Sequence, residues 1–364
     1  MAKKIVCIHL FNNYSGSPKV LMQVMNILIT RGYDVDLITN KSEGFLSGLE
    51  GINYHYVSYK WKKNELLTLI YFIIAQIQLF CKVIKWYRNI DSIFYINTIT
   101  PFGAAIACKL CKKSIIYHVH EKYIKSNLLH KICEYVYDKS NCYSIFVSKY
   151  LQESYLDKLT KSSVIYNSLE QTYKDVVAEF TKNRTIKPTT ILMVCSLRRF
   201  KGIYEFITLS AMLPKCKFEL VVNATETEVE HFKNENPLSS NLYIFGSQSN
   251  LHPFYQRAKL LLNLSDPNLW IETFGLTILE AMAYGIPSIV PNVGGPIELV
   301  TNESNGYLIH PKELNDIKQK IESLMEDDNL YNCFSKNAIL KSNDFDINKM
   351  TSQIIRIIEN IQYN

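Results

Sequence analysis

Glu272 and Glu280 stand eight residues apart in WIETFGLTILEAMAYG (270–285), with Phe274 and Gly275 between them. Gly275 opens an apolar run of helical spacing, and Glu280 sits inside that run. A helix start leaves backbone N–H groups without intrahelical acceptors and carries partial positive charge, so it can hold a phosphate. A carboxylate in the second turn can then accept two hydrogen bonds from a ribose diol. One in the preceding loop points at whatever is attached beyond the phosphates. Taken alone, the stretch equally admits a blander reading, with Glu272 complementing the helix dipole and Glu280 as a solvated helix position.

Two neighbouring stretches bear on the choice. VPNVGGPIELV places Gly294 and Gly295 in a loop between a strand and a helix. CSLRRFKGIYEFI puts Arg198, Arg199 and Lys201 between a strand end and a helix start. Cations clustered there can neutralise a diphosphate and stabilise it as a leaving group.

Other chemistry-bearing residues carry less. Asp34-Val35-Asp36 has the D-x-D form of a metal site, but it falls within RGYDVDLIT, a strand right after a helix stop. Cys108 and Cys111 form a lone CxxC in a helix with no second pair for zinc, and read as packing. His118 and His120 share one strand face, and the His120–Glu121 pair at the strand end is the better cleft candidate. NYSGSPKV after the first strand does not fit GxGxxG, which argues against NAD chemistry.

The elements that must position these residues alternate. KKIVCIHLF, YDVDLITN, SIFYINT, SIIYHVHE and YSIFVSK read as strands separated by helices such as SPKVLMQVMNILITRG, which stops at Gly32. Residues 169–188 are polar and end at Pro188, a linker or boundary helix. The alternation restarts with TTILMVCSL, FELVVNA, LYIFGS, LLLNLS and PSIVPN, with helices from Gly202, across 251–259 and after Phe274. Strand–helix alternation of this kind predicts parallel sheets with helices on both faces. The 364 residues are too many for one ordinary core. The expected architecture is therefore α/β, two Rossmann-like domains facing across a cleft, 1–170 and 186–344, with 345–364 crossing back onto the first.

Composition narrows the setting. Hydrophobic residues at 47% and charged residues at 20% are normal for a soluble globular chain. The net charge of +6 suits a phosphate-bearing substrate or an anionic membrane but decides little. The start, MAKKIVCIHLF, lacks the apolar length of a signal peptide, and nine scattered cysteines read as reduced thiols, so a cytoplasmic location is expected. The segment LLTLIYFIIAQIQLFCKVIKWY (66–87) is the most apolar in the chain. Its leading reading is a long helix packed on the first sheet. A sharper one dips it into an anionic bilayer interface through residues 60–88, since Lys60, Lys62, Lys63, Lys82, Lys85 and Arg88 flank it. Gln76 and Gln78 argue against a full span.

With Phe274 and Gly275 between them, Glu272 and Glu280 match the E-x7-E signature, and the chain resembles the retaining GT-B glycosyltransferases of family four along nearly its whole length. SLRRFKG is similar to that family's phosphate-binding loop, NYSGSPKVL to its first glycine loop, YHVHE to its histidine strand end, and FVSKYL and VIYNSLE to its further landmarks. The resemblance implies a nucleotide-diphosphate sugar, UDP or GDP type open, as co-substrate, with no metal or other cofactor and no nucleic-acid partner. It places Glu272 on donor-sugar hydroxyls, Glu280 on the ribose, and Phe274, Gly275 and Leu276 in backbone contact with sugar and phosphate. Lys201 would bind the diphosphate beside an arginine, Gly16 would approach the phosphate, and His120 would lie near the reacting carbon. Acceptor contacts are expected around Tyr14, Asn97, His120 and the 121–131 stretch. The chain departs from the family in Cys195-Ser196, where glycine and arginine are usual, so Arg198 or Arg199 must supply that cation; Ser168 stands for a glycine after Asn167, and the first loop has one glycine where two are common. Bacterial surface-polysaccharide synthesis, with a lipid-linked glycan acceptor at the cytoplasmic face of the inner membrane, is the expected setting. A nucleotide-sugar epimerase of the same architecture, or a non-catalytic nucleotide-sugar binding subunit, are the alternatives.

Overall fold

The strand-forming segments of the first half assemble into an all-parallel sheet in the computed structural model, which describes residues 4–62, 64–122, 128–155, 161–182 and 188–362. Its strands are β1 (Lys4–Ile8), β2 (Asp34–Asn40), β3 (Ile52–Val57), β4 (Ser92–Asn97), β5 (Ser114–Val119), β6 (Tyr143–Phe146) and β7 (Ser162–Val164). Their spatial order is β3-β2-β1-β4-β5-β6-β7. Central strands β1 and β4 are buried almost end to end, as a sheet covered on both faces requires.

The connecting helices are α1 (Gly16–Thr30), α2 (Glu65–Lys82), α3 (Phe102–Leu110), α4 (Leu128–Asp138) and α5 (Lys149–Glu153). Helix α1 buries Val20, Leu21, Val24 and Leu28 and ends where Gly32 takes a left-handed φ of 79°. Helix α2 differs from its leading sequence reading. It buries only a narrow stripe and leaves most of its apolar surface exposed.

The second sheet contains β8 (Thr190–Ser196), β9 (Lys217–Asn223), β10 (Leu242–Phe245), β11 (Ala258–Leu262), β12 (Ser288–Val290) and β13 (Gly306–Leu308), in the order β10-β9-β8-β11-β12-β13. Around it lie α6 (Gln171–Lys182), α7 (Ile203–Met212), α8 (Glu226–Glu235), α9 (His252–Arg257), α10 (Leu276–Ala283), α11 (Pro296–Leu299), α12 (Leu314–Glu326) and α13 (Asp328–Ser342). Its core is built on Ile191, Met193, Phe206, Phe218, Leu220 and Leu262.

The chain divides into two compact units, residues 1–166 with 348–364, and residues 167–347. The closing helix α14 (Ile347–Gln362) thus belongs almost wholly to the first, burying Met350, Ile354, Ile357 and Ile358 at helical spacing. In the first sheet the order of strand addition reverses between β1 and β4, and in the second between β8 and β11. In open parallel sheets the loops at the carboxyl ends of such strands are where ligands bind.

Candidate active site

In the second unit both loops at the switch point carry the singled-out residues. Strand β8 runs out at Ser196, whose carbonyl accepts the Arg198 N–H at 2.7 Å, and a tight turn over 199–201 follows. Gly202 ends that turn with φ 82°; a Cβ there would lie 2.1 Å from the Leu264 carbonyl. The Asp266 N–H also donates to the Phe200 carbonyl at 2.8 Å. The cation loop is therefore fixed to the segment after β11.

That segment leads to Glu272, whose backbone is seated just as tightly. The Gly295 N–H donates to the Glu272 carbonyl at 2.8 Å. A Cβ on Gly294 would meet the Glu272 carbonyl at 2.5 Å, and one on Gly295 the Thr273 carbonyl at 2.2 Å. Both glycines of VPNVGGPI thus exist to let the 272–274 backbone approach. Gly275, at φ 101°, begins α10 without a side-chain cap, leaving the first amides of the helix outside its own ladder.

Between these loops the Lys201 ammonium lies 2.7 Å from Glu272 Oε2, with both side chains largely covered. The Phe200 and Trp270 rings stack at 5.4 Å, and the ammonium lies 5.6 Å from the Trp270 centroid. This is a preformed cation held by one carboxylate and an aromatic wall. Arg198 and Arg199 are exposed, the latter's guanidinium 6.0 Å from the Tyr204 ring. Burial pushes the Cys195 thiol up to about 12, so it serves as packing at this end of β8.

Glu280 is not the solvated position that the stretch alone allowed. It is 3% exposed and accepts the Tyr255 hydroxyl at 2.7 Å. Burial and the adjacent carboxylate hold the Tyr255 phenol well above its ordinary value, so it remains a donor. Tyr173 and Tyr284 pack around this pair, Tyr284 stacking on Tyr255 at 5.7 Å. Phe274 is buried against Phe345, ring centres 5.8 Å apart, so only its backbone can serve a ligand, while Leu276 is half-buried at the helix start.

In the first unit the histidines gather at the ends of β1, β4 and β5. Asn97 Nδ2 donates to His9 Nδ1 at 3.0 Å and to the Ser17 carbonyl at 3.1 Å, and its Oδ1 accepts from His120 Nε2 at 2.8 Å. Asn97, expected to meet an acceptor, is fully buried; its amide holds His120 instead. His118 is also fully buried, 2.8 Å from the Tyr95 hydroxyl, and its ring lies 4.3 Å from that of His120. Burial lowers His9 to about 4 and His118 to about 3, and holds half-buried His120 well below its ordinary value, helped by the other two. His120 is therefore a neutral imidazole at neutral pH. Glu121 is buried, accepts the Ile99 N–H at 3.1 Å, and is raised by burial to about 7.

Nothing in the sequence announced Thr98, a β-branched residue at φ 71° directly after Asn97. Such strain persists where its surroundings over-determine it, and it aims the β4 loop beside the histidines. Gly16 is exposed at the start of α1, and a Cβ there would meet nothing within 4 Å. Protein packing does not demand this glycine. Tyr14 is 50% exposed, edge-on to Phe45 at 5.3 Å. Of the 121–131 stretch, residues 123–127 lie outside those described. The D-x-D pair is spent on the protein: Asp36 accepts from Lys4 at 2.7 Å, Tyr87 at 2.5 Å and Asn53 at 3.1 Å.

Residues 178–341 match the family model described as "Glycosyl transferases group 1". The N,N'-diacetylbacillosaminyl-diphospho-undecaprenol α-1,3-N-acetylgalactosaminyltransferase of Campylobacter jejuni is 27% identical over 192 residues, which is 51% of this chain and 48% of that protein. The UDP-Gal:α-D-GlcNAc-diphosphoundecaprenol α-1,3-galactosyltransferase of Escherichia coli is 45% identical over 91 residues, 24% of this chain and 22% of that protein. The match thus spans about half the length of the first relative and under a quarter of the second. In fold, Anabaena HepE, solved in complex with UDP and glucose, superposes with a TM-score of 0.80 at 20% identity, covering 98% of this chain and 99% of that one. The matched region, in which the switch-point loops bring Lys201 onto Glu272, is thus a group 1 glycosyltransferase region, in a chain with the GT-B fold.

Proposed function

We propose that this protein transfers a sugar from a nucleotide-diphosphate sugar to a hydroxyl of a glycan acceptor carried on a lipid, with retention at the anomeric carbon. The single observation that carries the reading is the Lys201–Glu272 pair at the β8–β11 switch point, 2.7 Å apart and beside the start of α10. A diphosphate entering there exchanges the ammonium's carboxylate partner for phosphate oxygens and frees Glu272 to accept from sugar hydroxyls. As the C1–O bond breaks, negative charge grows on the diphosphate, where Lys201 and the first amides of α10 stabilise it. The acceptor oxygen bonds to C1 on the face the diphosphate leaves, and its proton passes to a diphosphate oxygen, so no protein base is required. Glu280, fixed by Tyr255, receives the ribose. In the first unit His120 is neutral, so it can exchange hydrogen bonds with a ligand without adding charge.

The relatives from C. jejuni and E. coli, whose names give undecaprenyl-diphosphate-linked sugars as their acceptors, support a lipid-linked acceptor here. The HepE complexes with UDP favour a UDP sugar. The reading implies work at the cytoplasmic face of a bacterial membrane.

Replacing Lys201 with Ala should lower turnover by at least 100-fold, about 3 kcal/mol of transition-state stabilisation. Steady-state kinetics with a UDP-sugar panel and a polyprenyl-diphosphate sugar measure this. Near-normal turnover in Lys201→Ala would remove the assignment, and isomerisation of a donor incubated without acceptor would favour an epimerase.

A further inference from the structure

Helix α2 carries two apolar stripes at helical spacing, and only one has a partner. Phe72, Ala75, Leu79 and Val83 are buried. Gln76 locks this stripe to α3: its Oε1 accepts the Gly103 N–H at 2.8 Å and its Nε2 donates to the Thr100 carbonyl at 3.1 Å. A Cβ on Gly103 would lie 2.2 Å from the Gln76 carbonyl, so the two backbones touch there. The second stripe, Leu66, Leu69, Ile70, Ile73 and Ile77, is between 40% and 65% exposed.

The exposed surface does not end with α2. Helix α3 packs against α2 and against α4. It exposes Ile106 and Leu110, and α4 exposes Leu128, Ile132 and Tyr135 at i, i+4 and i+7. Lone exposed apolar residues need no explanation, but apolar exposure repeated at helical spacing on α2, and present on the helices packed in series with it, does.

Charge and aromatic placement identify what covers it. Residues 60–88 hold six of the chain's basic residues and one acidic residue, Glu65, so nearly the whole net charge of +6 is concentrated here. The basic residues flank the apolar stretch at both ends. Trp61 and Trp86, 52% and 38% exposed, stand beside them, and Lys82 lies 4.0 Å over the Trp86 ring. Tryptophan and lysine at both ends of an apolar face suit a headgroup layer, where the rings and cations stay at the polar level.

The 23-residue helical stretch Glu65–Tyr87, which holds an 18-residue window of mean hydropathy 2.0, is long and apolar enough to cross a bilayer. Its attachments oppose this. Besides Gln76 on α3, the Ser58 N–H donates to Gln78 Oε1 at 2.7 Å, and the Tyr87 hydroxyl bonds Asp36 in β2 at 2.5 Å. The middle and the carboxyl end are fastened to the sheet unit, so from Gln76 onward the helix lies along the protein surface.

We infer that α2, with the exposed tips of α3 and α4, is the face on which this protein docks on an anionic lipid bilayer, α2 lying in the plane of the interface. The second apolar stripe enters the acyl boundary and the flanking lysines meet lipid phosphates. This stands apart from the reading of the catalytic site, because it is measured without donor or acceptor.

The test is cosedimentation of the full chain with phosphatidylcholine vesicles, with and without phosphatidylglycerol. Binding should rise with the anionic lipid and weaken as salt is raised from about 0.1 to 1 M, where the screening length falls from about 10 to 3 Å. The double change Ile73→Asp with Ile77→Asp should lower vesicle affinity by about tenfold or more. The triple change Lys82→Gln, Lys85→Gln and Arg88→Gln should weaken the dependence on anionic lipid. Leu340→Asp, at an exposed apolar position of the second unit, should leave binding unchanged, and circular dichroism should show all variants folded. Binding indifferent to both the aspartate and the glutamine changes overturns the proposal. So does a dimer abolished by the aspartate pair with no affinity for vesicles, which would make the face a contact between copies. Tryptophan quenching by lipids brominated near the bilayer centre, rather than near the headgroups, would replace the in-plane helix with a spanning one.

Discussion

Glu121 shows how burial sets the chemistry of a single side chain. Its carboxyl is raised to about 7 against an ordinary 4.5, so the folded state holds its proton where the unfolded state has lost it. Stability from this group is complete below pH 4.5 and drains away as pH rises through 7. Replacing it with Gln, which keeps an acceptor for Ile99 N–H, should leave stability unchanged near pH 4.5. The variant should gain by up to about 3 kcal/mol by pH 8. Denaturant midpoints across that range measure the gap; one that stays constant with pH refutes the assignment. The depressed histidines act oppositely. His9 and His118 titrate at about 4 and 3 when folded, so the stability they confer is present above pH 6.5 and lost on acidification. At the other site, Glu280→Gln retains the shape of α10 but weakens acceptance from a ribose diol. Nucleotide affinity should fall by about tenfold, read by calorimetry, with little change in melting temperature.

At the scale of elements, function rests on loops whose backbones are fastened to one another. The 272–275 loop cannot take up its course unless residues 294 and 295 lack side chains. Gly295→Ala would place a Cβ 2.2 Å from the Thr273 carbonyl, so the loop must move. Glu272 and the start of α10 then shift together, and kcat/KM should fall by at least tenfold while the far-UV spectrum is retained. A Gly295→Ala enzyme with wild-type kinetics would show that the loop tolerates displacement. The strands that sequence reading missed, β3, β7 and β13, are all edge strands, two of them three residues long. An edge strand has one ladder partner and less burial, so the dense apolar run that marked β1, β4, β8 and β11 is lacking.

Across the whole molecule, the closing helix decides where stability resides. Met350, Ile354, Ile357 and Ile358 of α14 are almost fully buried, and burying each contributes about 1.5–3 kcal/mol. Ending the chain after Asp346 should therefore destabilise the first unit by several kcal/mol and leave the second, which closes at residue 347, nearly unaffected. Hydrogen exchange resolved by segment would show this; uniform loss of protection in both units would contradict it. Nucleotide binding should do the reverse. A nucleotide at about 100 times its Kd should stabilise the second unit by about 2.7 kcal/mol, and a thermal-shift panel of UDP and GDP would name the base.

The sequence by itself determined the strand–helix alternation, the two parallel sheets and the stretches that hold Lys201, Glu272 and Glu280, because these are local patterns of period, apolarity and turn residues. It left open whether Glu280 was solvated, because burial depends on Tyr255, Tyr173 and Tyr284, residues distant in sequence. Asn97 looked available to an acceptor until His9 and His120, brought from β1 and β5, engaged its amide. Helix α2 read as core from its apolarity, yet only the packing of α3 decided which face was buried. Apolar periodicity records that a surface avoids water, and only the tertiary structure shows whether protein covers it.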